Sequence, residues 1–418
     1  MTSQYRVNYH LRAHKRDSFI EFIKGLLLTP FVLHSLPQPA DDDDDSNGDK
    51  ELEAAKQANA ARFREIFGSI ESLVNEHRHF EATGIPTHSR LAKIVPGIGS
   101  FFTELPLARA FDRIDGKDRI SGRKHVPPSF NDVRRILNMA QLMAIAPELR
   151  LVTFDGDMTL YDDGQNFEAG SDLTRLLVAL LRRGIAVAIV TAAGYGTDAS
   201  KYEARLSGLL HGFKEAQLGA DAVSRFFVLG GECNFLFGCT PAYRLISLDE
   251  QADLDQSELR QWTDVQAMQV LDVAEHELRN SIARMGIDAR VIRKARAVGI
   301  VPQRQLTREQ LDECALSAQV ALLKNQGTPR AQPGDAPIPF CAFNGGSDCW
   351  VDIGNKLIGV RIIQRLVASP AAATLHVGDQ FLSTGNDIST RSACCTCWII
   401  NPQETQDMLT DLVSLLEG

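Results

Sequence analysis

A stretch of helix-spaced leucines enclosed between two short, almost wholly apolar segments constrains this chain more than any other feature. The first segment holds Leu149, Leu151, Val152 and Phe154, and the second is Ile185-Ala186-Val187-Ala188-Ile189-Val190. Short apolar runs without polar alternation read as strands buried on both faces, the habit of parallel sheets. Between them Ser171 is placed to cap a helix, Leu173, Leu176, Leu177, Leu180 and Leu181 keep helical spacing, and Gly184 stops it. Strand, helix, strand is a right-handed βαβ unit, which commits the chain to an α/β fold.

Both segments end in residues with chemistry. After Phe154 come Asp155-Gly156-Asp157-Met158-Thr159 and a loop at Tyr161-Asp162-Asp163-Gly164; after Val190 come Thr191-Ala192-Ala193-Gly194. Open α/β sheets bind ligands at the C-terminal edges of their strands. A carboxylate there can attack phosphorus, provided Mg²⁺ offsets its repulsion from a phosphate dianion. Residues two apart in an extended segment face the same way, so Asp155 and Asp157 are expected in one pocket. Asp157 can then protonate the leaving alkoxide and later activate water.

An Asp-x-Asp pair alone is more often an acidic surface turn, and downstream partners decide the matter. Thr191 and the N–H groups after it can cradle a phosphoryl group. Gly354-Asn355-Lys356 opens a helical pattern of Leu357, Val360, Ile363 and Leu366, which puts Lys356 at a helix start. A cation is the wrong sign for that end of the dipole, so Lys356 points to another task, the binding of phosphate and of the nucleophilic carboxylate. Thr374 to Asp379 is another short strand ending in an acid, fit to complete a metal site, with Asp387 eight residues on.

In this order, Asp155-Gly156-Asp157-Met158-Thr159, Thr191, Lys356 and Asp379 resemble the haloacid dehalogenase (HAD) superfamily of phosphatases. The resemblance implies Asp155 as nucleophile and Asp157 as acid/base and main-chain carbonyl ligand. It also makes Thr191 and Lys356 phosphate binders. The metal set so implied is Asp155, Asp157, Asp379 and Asp387, although Asp387 lies further from Asp379 than the second acid of many members.

Asp155 to Gly164, Ile189 to Tyr195, Phe227 to Asn234, and Asn344 to Asp352 narrow this to the IMP-specific 5′-nucleotidase family of fungi and malaria parasites, which they resemble. Tyr9 to Asp17 and Val126 to Asp132 are similar to it as well, so the likeness spans nearly the whole chain. It implies hydrolysis of inosine 5′-monophosphate (IMP) to inosine and phosphate, a requirement for Mg²⁺, allosteric activation by ATP, and a homotetramer. Asp163, Asp348 and Asp352 can accept hydrogen bonds from ribose hydroxyls or a purine N–H. Trp350 can stack on the base, worth about 1–3 kcal/mol, although burial habits alone make it a packing residue. Two other readings remain: a sugar-phosphate phosphatase or phosphomutase on the same scaffold, and a nucleotide sensor without catalysis.

At 418 residues the chain exceeds one typical core. The expected layout is a helical N-terminal regulatory and oligomerisation domain over 1–145 and a HAD-like, Rossmann-like parallel-sheet core over 146–205 and 340–418. An α+β cap in the C2-type position is expected over 206–339. From Glu51 to His79, Phe63, Ile66, Phe67, Ile70, Leu73 and Val74 recur at helical spacing, as a core face or an oligomer seam. Asp41 to Asp49 reads as a solvated acidic loop. Positive charge concentrates from Arg113 to Arg135, by default a solvated face. The resemblance offers Lys117, Arg123, Lys124 and Arg135 as ATP effector contacts, since the sequence holds no Gly-x-x-x-x-Gly-Lys-Ser/Thr loop.

Net charge of −9 argues against bulk nucleic-acid binding. The apolar segment from Gly25 to Leu36 is too short to span a bilayer. Eight cysteines include a Cys-Cys-Thr-Cys run leading into Trp398-Ile399-Ile400, read as a buried strand of structural thiols. With no secretory apolar region at the N-terminus, a cytosolic chain with reduced thiols is expected.

Overall fold

The computed structural model describes residues 17–33, 45–248, 262–326 and 337–417. Its strands are β1 (Leu151–Phe154), β2 (Ala186–Val190), β3 (Phe226–Gly230), β4 (Phe235–Cys239), β5 (Leu245–Ser247), β6 (Ala289–Arg293), β7 (Ala297–Pro302), β8 (Phe340–Asn344), β9 (Cys349–Ile353), β10 (Thr374–Gly378) and β11 (Cys395–Trp398). They form a seven-stranded sheet in the order β11-β10-β1-β2-β3-β4-β5 and a four-stranded sheet in the order β6-β7-β9-β8.

The large sheet is parallel from β11 to β3 and antiparallel at β4 and β5. The helix over Asp172–Arg182 joins β1 to β2, and its N-cap is Ser171, whose side chain accepts from Leu173 N. Helix Lys356–Leu366 covers the opposite face, where Ile358, Ile362 and Ile363 pack on Leu151, Ala186 and Val190. Because β10, β1 and β2 are neighbours, about 4.8 Å apart, Asp379, Asp155 and Thr191 emerge side by side at their C-terminal ends. The βαβ argument from sequence thus fixes where the chemistry sits.

Four N-terminal helices, Ser18–Leu33, Asp45–Ala82, Leu107–Asp118 and Phe130–Ile145, share a core that includes Phe19, Phe63, Phe67, Ile70, Val74, Phe111 and Ile136. The apolar stripe of the long helix is therefore an internal face; Phe67 stacks on Phe111 at 5.2 Å. Among the described residues that helix spans Asp45–Ala82, so Asp45 to Asp49, expected in a loop, are helical. Asp41 to Asp44 and Tyr9 to Arg16 lie outside the described residues.

Helix Phe130–Ile145 ties this layer to the large sheet. It begins with a capping box between Ser129 and Asp132. Its buried Arg134 donates to the Trp398 carbonyl and to Glu404, and Asn138 holds both the Trp398 carbonyl and N–H. Trp398 in turn donates its indole N–H to the carbonyl of Asp379 at 2.8 Å.

The boundaries expected for the cap at 206 and 339 do not match the sheets. Phe226-Phe227-Val228-Leu229 is buried throughout because it is an inner strand beside β2, and β4 and β5 extend the same sheet. The small sheet and its two helices, Asp264–Met285 and Arg308–Gln326, reach instead from Asp264 to Ile353. On β9, Cys349, Val351 and Ile353 face those helices, so Trp350 and Asp352 face the other way, toward the large sheet. That period-two pattern marks β8 and β9 as an antiparallel pair with one face on a core, which the sequence reading had merged with the parallel core.

None of the eight cysteines forms a disulfide and all are buried, three of them in or beside β11, as expected for structural thiols. No helix among the described residues is long and apolar enough to cross a membrane.

Candidate active site

A cavity of about 900 Å³ lies between the two sheets. Its floor is Asp155, Thr191 and Asp379; Asp157 and Asp163 stand at one side, and Asp348, Trp350 and Asp352 come from the small sheet. Catalytic, substrate and metal residues that the sequence nominated from four separate segments therefore meet around one space. Lys356 and Asp387 are the exceptions, fully buried behind the floor.

Asp155 is held in place from below. The Lys356 ammonium meets Asp155 Oδ1 at 2.8 Å, Asp387 Oδ1 at 2.7 Å and Asn386 Oδ1 at 2.9 Å, which uses its three N–H donors. Lys356 is the first residue of its helix, capped by Asn355. Its bonds go to Asp155 and the residues around it, and it does not line the cavity. Asp387 also accepts from Gln380 N at 2.9 Å and bonds His376 Nε2 at 2.9 Å. Thr153 Oγ1 meets His376 Nδ1 at 2.8 Å. Burial holds His376 below its ordinary pKa, so a neutral ring donating to Asp387 and accepting from Thr153 fits both contacts.

These carboxyl groups titrate apart. Burial, opposed by Lys356, pushes Asp155 up to about 7, and burial plus repulsion from Asp155 pushes Asp379 up to about 9. Burial also works against Asp387, but Lys356 and His376 outweigh it and hold its carboxyl below the usual range. Burial lowers Lys356, and its anionic neighbours, Asp155 first, more than reverse that.

Asp155, Asp379 and Asp387 present oxygens within 4.8 Å of one another, and Asp379 Oδ1 is buried without a hydrogen-bond partner. An orphaned carboxylate oxygen among hard oxygen donors fits a divalent cation. Both oxygens of Asp387 are already engaged by Lys356, His376 and Gln380 N, so of the three it is the one whose oxygens are committed elsewhere.

Around the rim, Asp157 Oδ1 accepts from Arg205 and from Gly164 N. Arg205 lies over the Tyr161 ring at 5.0 Å. Gly156 has to be glycine, since a Cβ there would stand 2.4 Å from the Tyr161 hydroxyl. Thr191 Oγ1 accepts from Ala193 N, closing the expected phosphate loop. Trp350 carries the Lys294 ammonium over its ring at 4.2 Å, and burial raises the pKa of neighbouring Asp348. Asp352 is buried with Oδ1 unpartnered, and burial followed by the charge of Glu232 raises its pKa well above the carboxylate range.

Three of the four residues expected as effector contacts are paired with acids. Lys117 pairs with Asp411, Arg123 with Asp132 and Arg135 with Asp118. None of these, nor Lys124, lines the central cavity or the smaller one between the helical layer and β11. Asp112, Asp115, Asp118 and Asp132 offset part of the positive charge of this stretch.

Sequence reasoning passed over Arg205, Glu232, Asn386, His376 and Lys294. For His376 a signal existed, because Thr153 and His376 are polar residues inside two buried strands and stand at matched register. Glu232 had a weaker one, an acid at the end of an apolar strand. The other three carry no local pattern.

Buried Glu232 supplies a pH prediction. Burial pushes it up to about 7, above the ordinary glutamate value, so the folded state binds more protons than the unfolded one in between. Its contribution to stability is complete below the ordinary value and is lost as pH rises through about 7. Melting curves from about pH 5 to about pH 8 should therefore fall more steeply for the native protein than for Glu232→Gln. Parallel slopes would reject this assignment.

Comparison with known proteins agrees with the geometry. A curated relative from Yarrowia lipolytica, named IMP-specific 5′-nucleotidase 1, is 43% identical over 100% of this chain and 98% of its own. One of the same name from Neurospora crassa is also 43% identical, over 100% and 99%. The structure of an N-terminally truncated, IMP-bound Plasmodium falciparum IMP-nucleotidase is similar with a TM-score of 0.79 at 34% identity, covering 96% of each chain. The ATP-bound form of that protein is similar with a TM-score of 0.76 at 34% identity, over 99% of this chain and 88% of that one. The α/β core is HAD-like, as the motifs led one to expect. A family model for IMP-specific 5′-nucleotidase matches residues 1–409, and with relatives this similar along their whole length the chain belongs to the IMP-specific 5′-nucleotidase family.

Proposed function

We propose that the chain hydrolyses IMP to inosine and phosphate through an aspartyl phosphate on Asp155, with Mg²⁺ bound and with ATP as an activator. The observation that carries this reading is Asp155 on the floor of the cavity, backed by Lys356, with Asp163, Asp348, Trp350 and Asp352 around the same space. An IMP-bound relative of the same fold supports the substrate, and an ATP-bound one supports the effector.

Asp155 attacks phosphorus and the bond to the ribose oxygen breaks. Asp157 gives that oxygen a proton, then takes one from the water that cleaves the acyl phosphate and releases phosphate. Arg205 and Gly164 N fix the Asp157 carboxylate at the cavity edge. Thr191 and its loop hold the phosphoryl oxygens. Asp155, Asp379 and the Asp157 carbonyl, with Asp387 behind them, would hold Mg²⁺, which when bound offsets the repulsion between Asp155 and the phosphate. Asp163, Asp348, Trp350 and Asp352 select the nucleoside. The helical layer over 17–145 is the regulatory part in this reading, the assembly is a homotetramer, and the chain works in the cytosol.

Phosphate release from IMP, AMP, GMP and sugar phosphates, with and without Mg²⁺ and ATP, tests the proposal. Preference for IMP, dependence on Mg²⁺ and stimulation by ATP are expected; equal rates on all substrates, or none on IMP, would reject it. Trp350→Leu should raise KM for IMP about tenfold, from the loss of one stacking contact, with kcat close to native. An unchanged KM would remove Trp350 from the substrate site.

A further inference from the structure

We propose that Glu232 is a positioning residue for phosphoryl transfer: through Asn386 it sets the third acceptor of Lys356, and so aims the ammonium at Asp155. The proposal rests on the reading of Asp155 as the nucleophile.

Two of the three acceptors around Lys356 have fixed orientations. Asp155 follows directly from β1, its N–H donating to Val377 O at 2.9 Å. Asp387 is pinned by His376 and by Gln380 N. Asn386 is different, because only one end of its amide can accept. Turned over, it would point an NH₂ group at an ammonium. The group that prevents this is Glu232, whose Oε1 accepts from Asn386 Nδ2 at 2.9 Å and leaves Asn386 Oδ1 facing Lys356 at 2.9 Å.

Glu232 is itself held where little else would keep it. Gly231, Glu232 and Cys233 are consecutive residues at φ of 61°, 49° and 74°, a conformation that two of them, bearing side chains, rarely adopt. Such backbone persists only where the surroundings over-determine it. Here Gly231 N donates to Ala193 O at 2.9 Å and Glu232 N to Thr191 O at 3.2 Å, which braces the turn on the phosphate loop. Asn234 Nδ2 donates to Ile353 O at 2.7 Å, and Cys233 packs with Ile358 and Ile362 of the Lys356 helix. One turn therefore touches the phosphate loop, the end of β9 and the Lys356 helix, and it carries a carboxyl group into the space between them.

A structural role explains this side chain poorly. Glu232 is fully buried, does not line the cavity, and leaves Oε2 without a hydrogen-bond partner. An apolar residue of the same volume would fill the site at lower cost in desolvation. Orientation of Asn386 is what that residue would lack.

The test uses the full chain with Mg²⁺ and IMP. Glu232→Met, close to glutamate in volume but without an acceptor, should lower kcat about 10- to 100-fold with KM within about twofold, since a misaimed group costs rate and not cavity contacts. Glu232→Gln keeps the accepting oxygen and should restore kcat to within about fivefold of native. Asn386→Leu should reproduce the Glu232→Met loss, and the double variant should be no slower than the slower single one. Native kcat in Glu232→Met, an effect confined to KM, no rescue by Glu232→Gln, or additive losses would each overturn the proposal. If Glu232→Met does not fold, native kcat in Asn386→Leu overturns it alone. Failure of the functional reading looks different: the native protein then releases no phosphate from IMP.

Discussion

Asp155→Asn is expected to lower kcat for phosphate release at least about 10⁴-fold, the scale on which enzymes lose rate when a covalent nucleophile is removed. The melting temperature should stay close to native. An asparagine has the shape of the aspartate, and its Oδ1 can keep accepting from Lys356 at the 2.8 Å contact. Burial and the charge of Asp387 already disfavour the Asp155 anion, whose pKa is pushed up to about 7, so an amide relieves repulsion while it ends chemistry. Acid quenching of a reaction with labelled IMP should trap a base-labile phosphoprotein from the native chain and none from the variant. Label on Asp155→Asn, or turnover near the native rate, would move the nucleophile elsewhere.

Lys356→Met should be the most destabilising single change at the site. The ammonium is fully buried and is the cation between Asp155 and Asp387, with Glu232 and Asp379 close behind. Breaking a buried ion pair by removing one partner costs about 3–5 kcal/mol, because the other charge is left without compensation. Here two carboxylates are stranded together. Activity should vanish with the aim of Asp155, and the melting temperature should drop by many degrees, with partial recovery when a divalent cation is added. A variant that melts with the native protein would show that the carboxyl groups relax by protonation at no net cost, and the charge argument would fail.

The core of this arrangement was legible in the sequence because it is local. Apolar runs that stop at Asp155, Thr191 and Asp379 declare inner strands, and neighbouring strands must deliver their ends to one edge. Lys356 was legible through its conflict with the helix dipole. Its socket was not, since Asn386 and Glu232 are 154 residues apart and meet only through the fold. The cap boundaries misled for a related reason. An apolar run such as Phe226 to Leu229 looks the same wherever it pairs, and only its partners assign it to a sheet. The pairings of the basic stretch were not legible either, because they cross from one element to another, as with Arg123 and Asp132 and with Lys117 and Asp411.

The joint between the small sheet and the core has a mechanical consequence. β9 ends at Ile353, Gly354 follows at φ of 92° in a place where a Cβ would strike Glu232 O at 2.3 Å, and Lys356 comes two residues later. Any rotation of the small sheet about that joint moves each residue in proportion to its distance from it. Asp352 is close to the axis, and Trp350 and Asp348 are further out along a strand rising about 3.3 Å per residue. Contacts near the phosphate end thus have a short lever arm and contacts further out a long one. With such a linkage, a rotation of the small sheet would displace the residues beside Asp155 less than those further along β9.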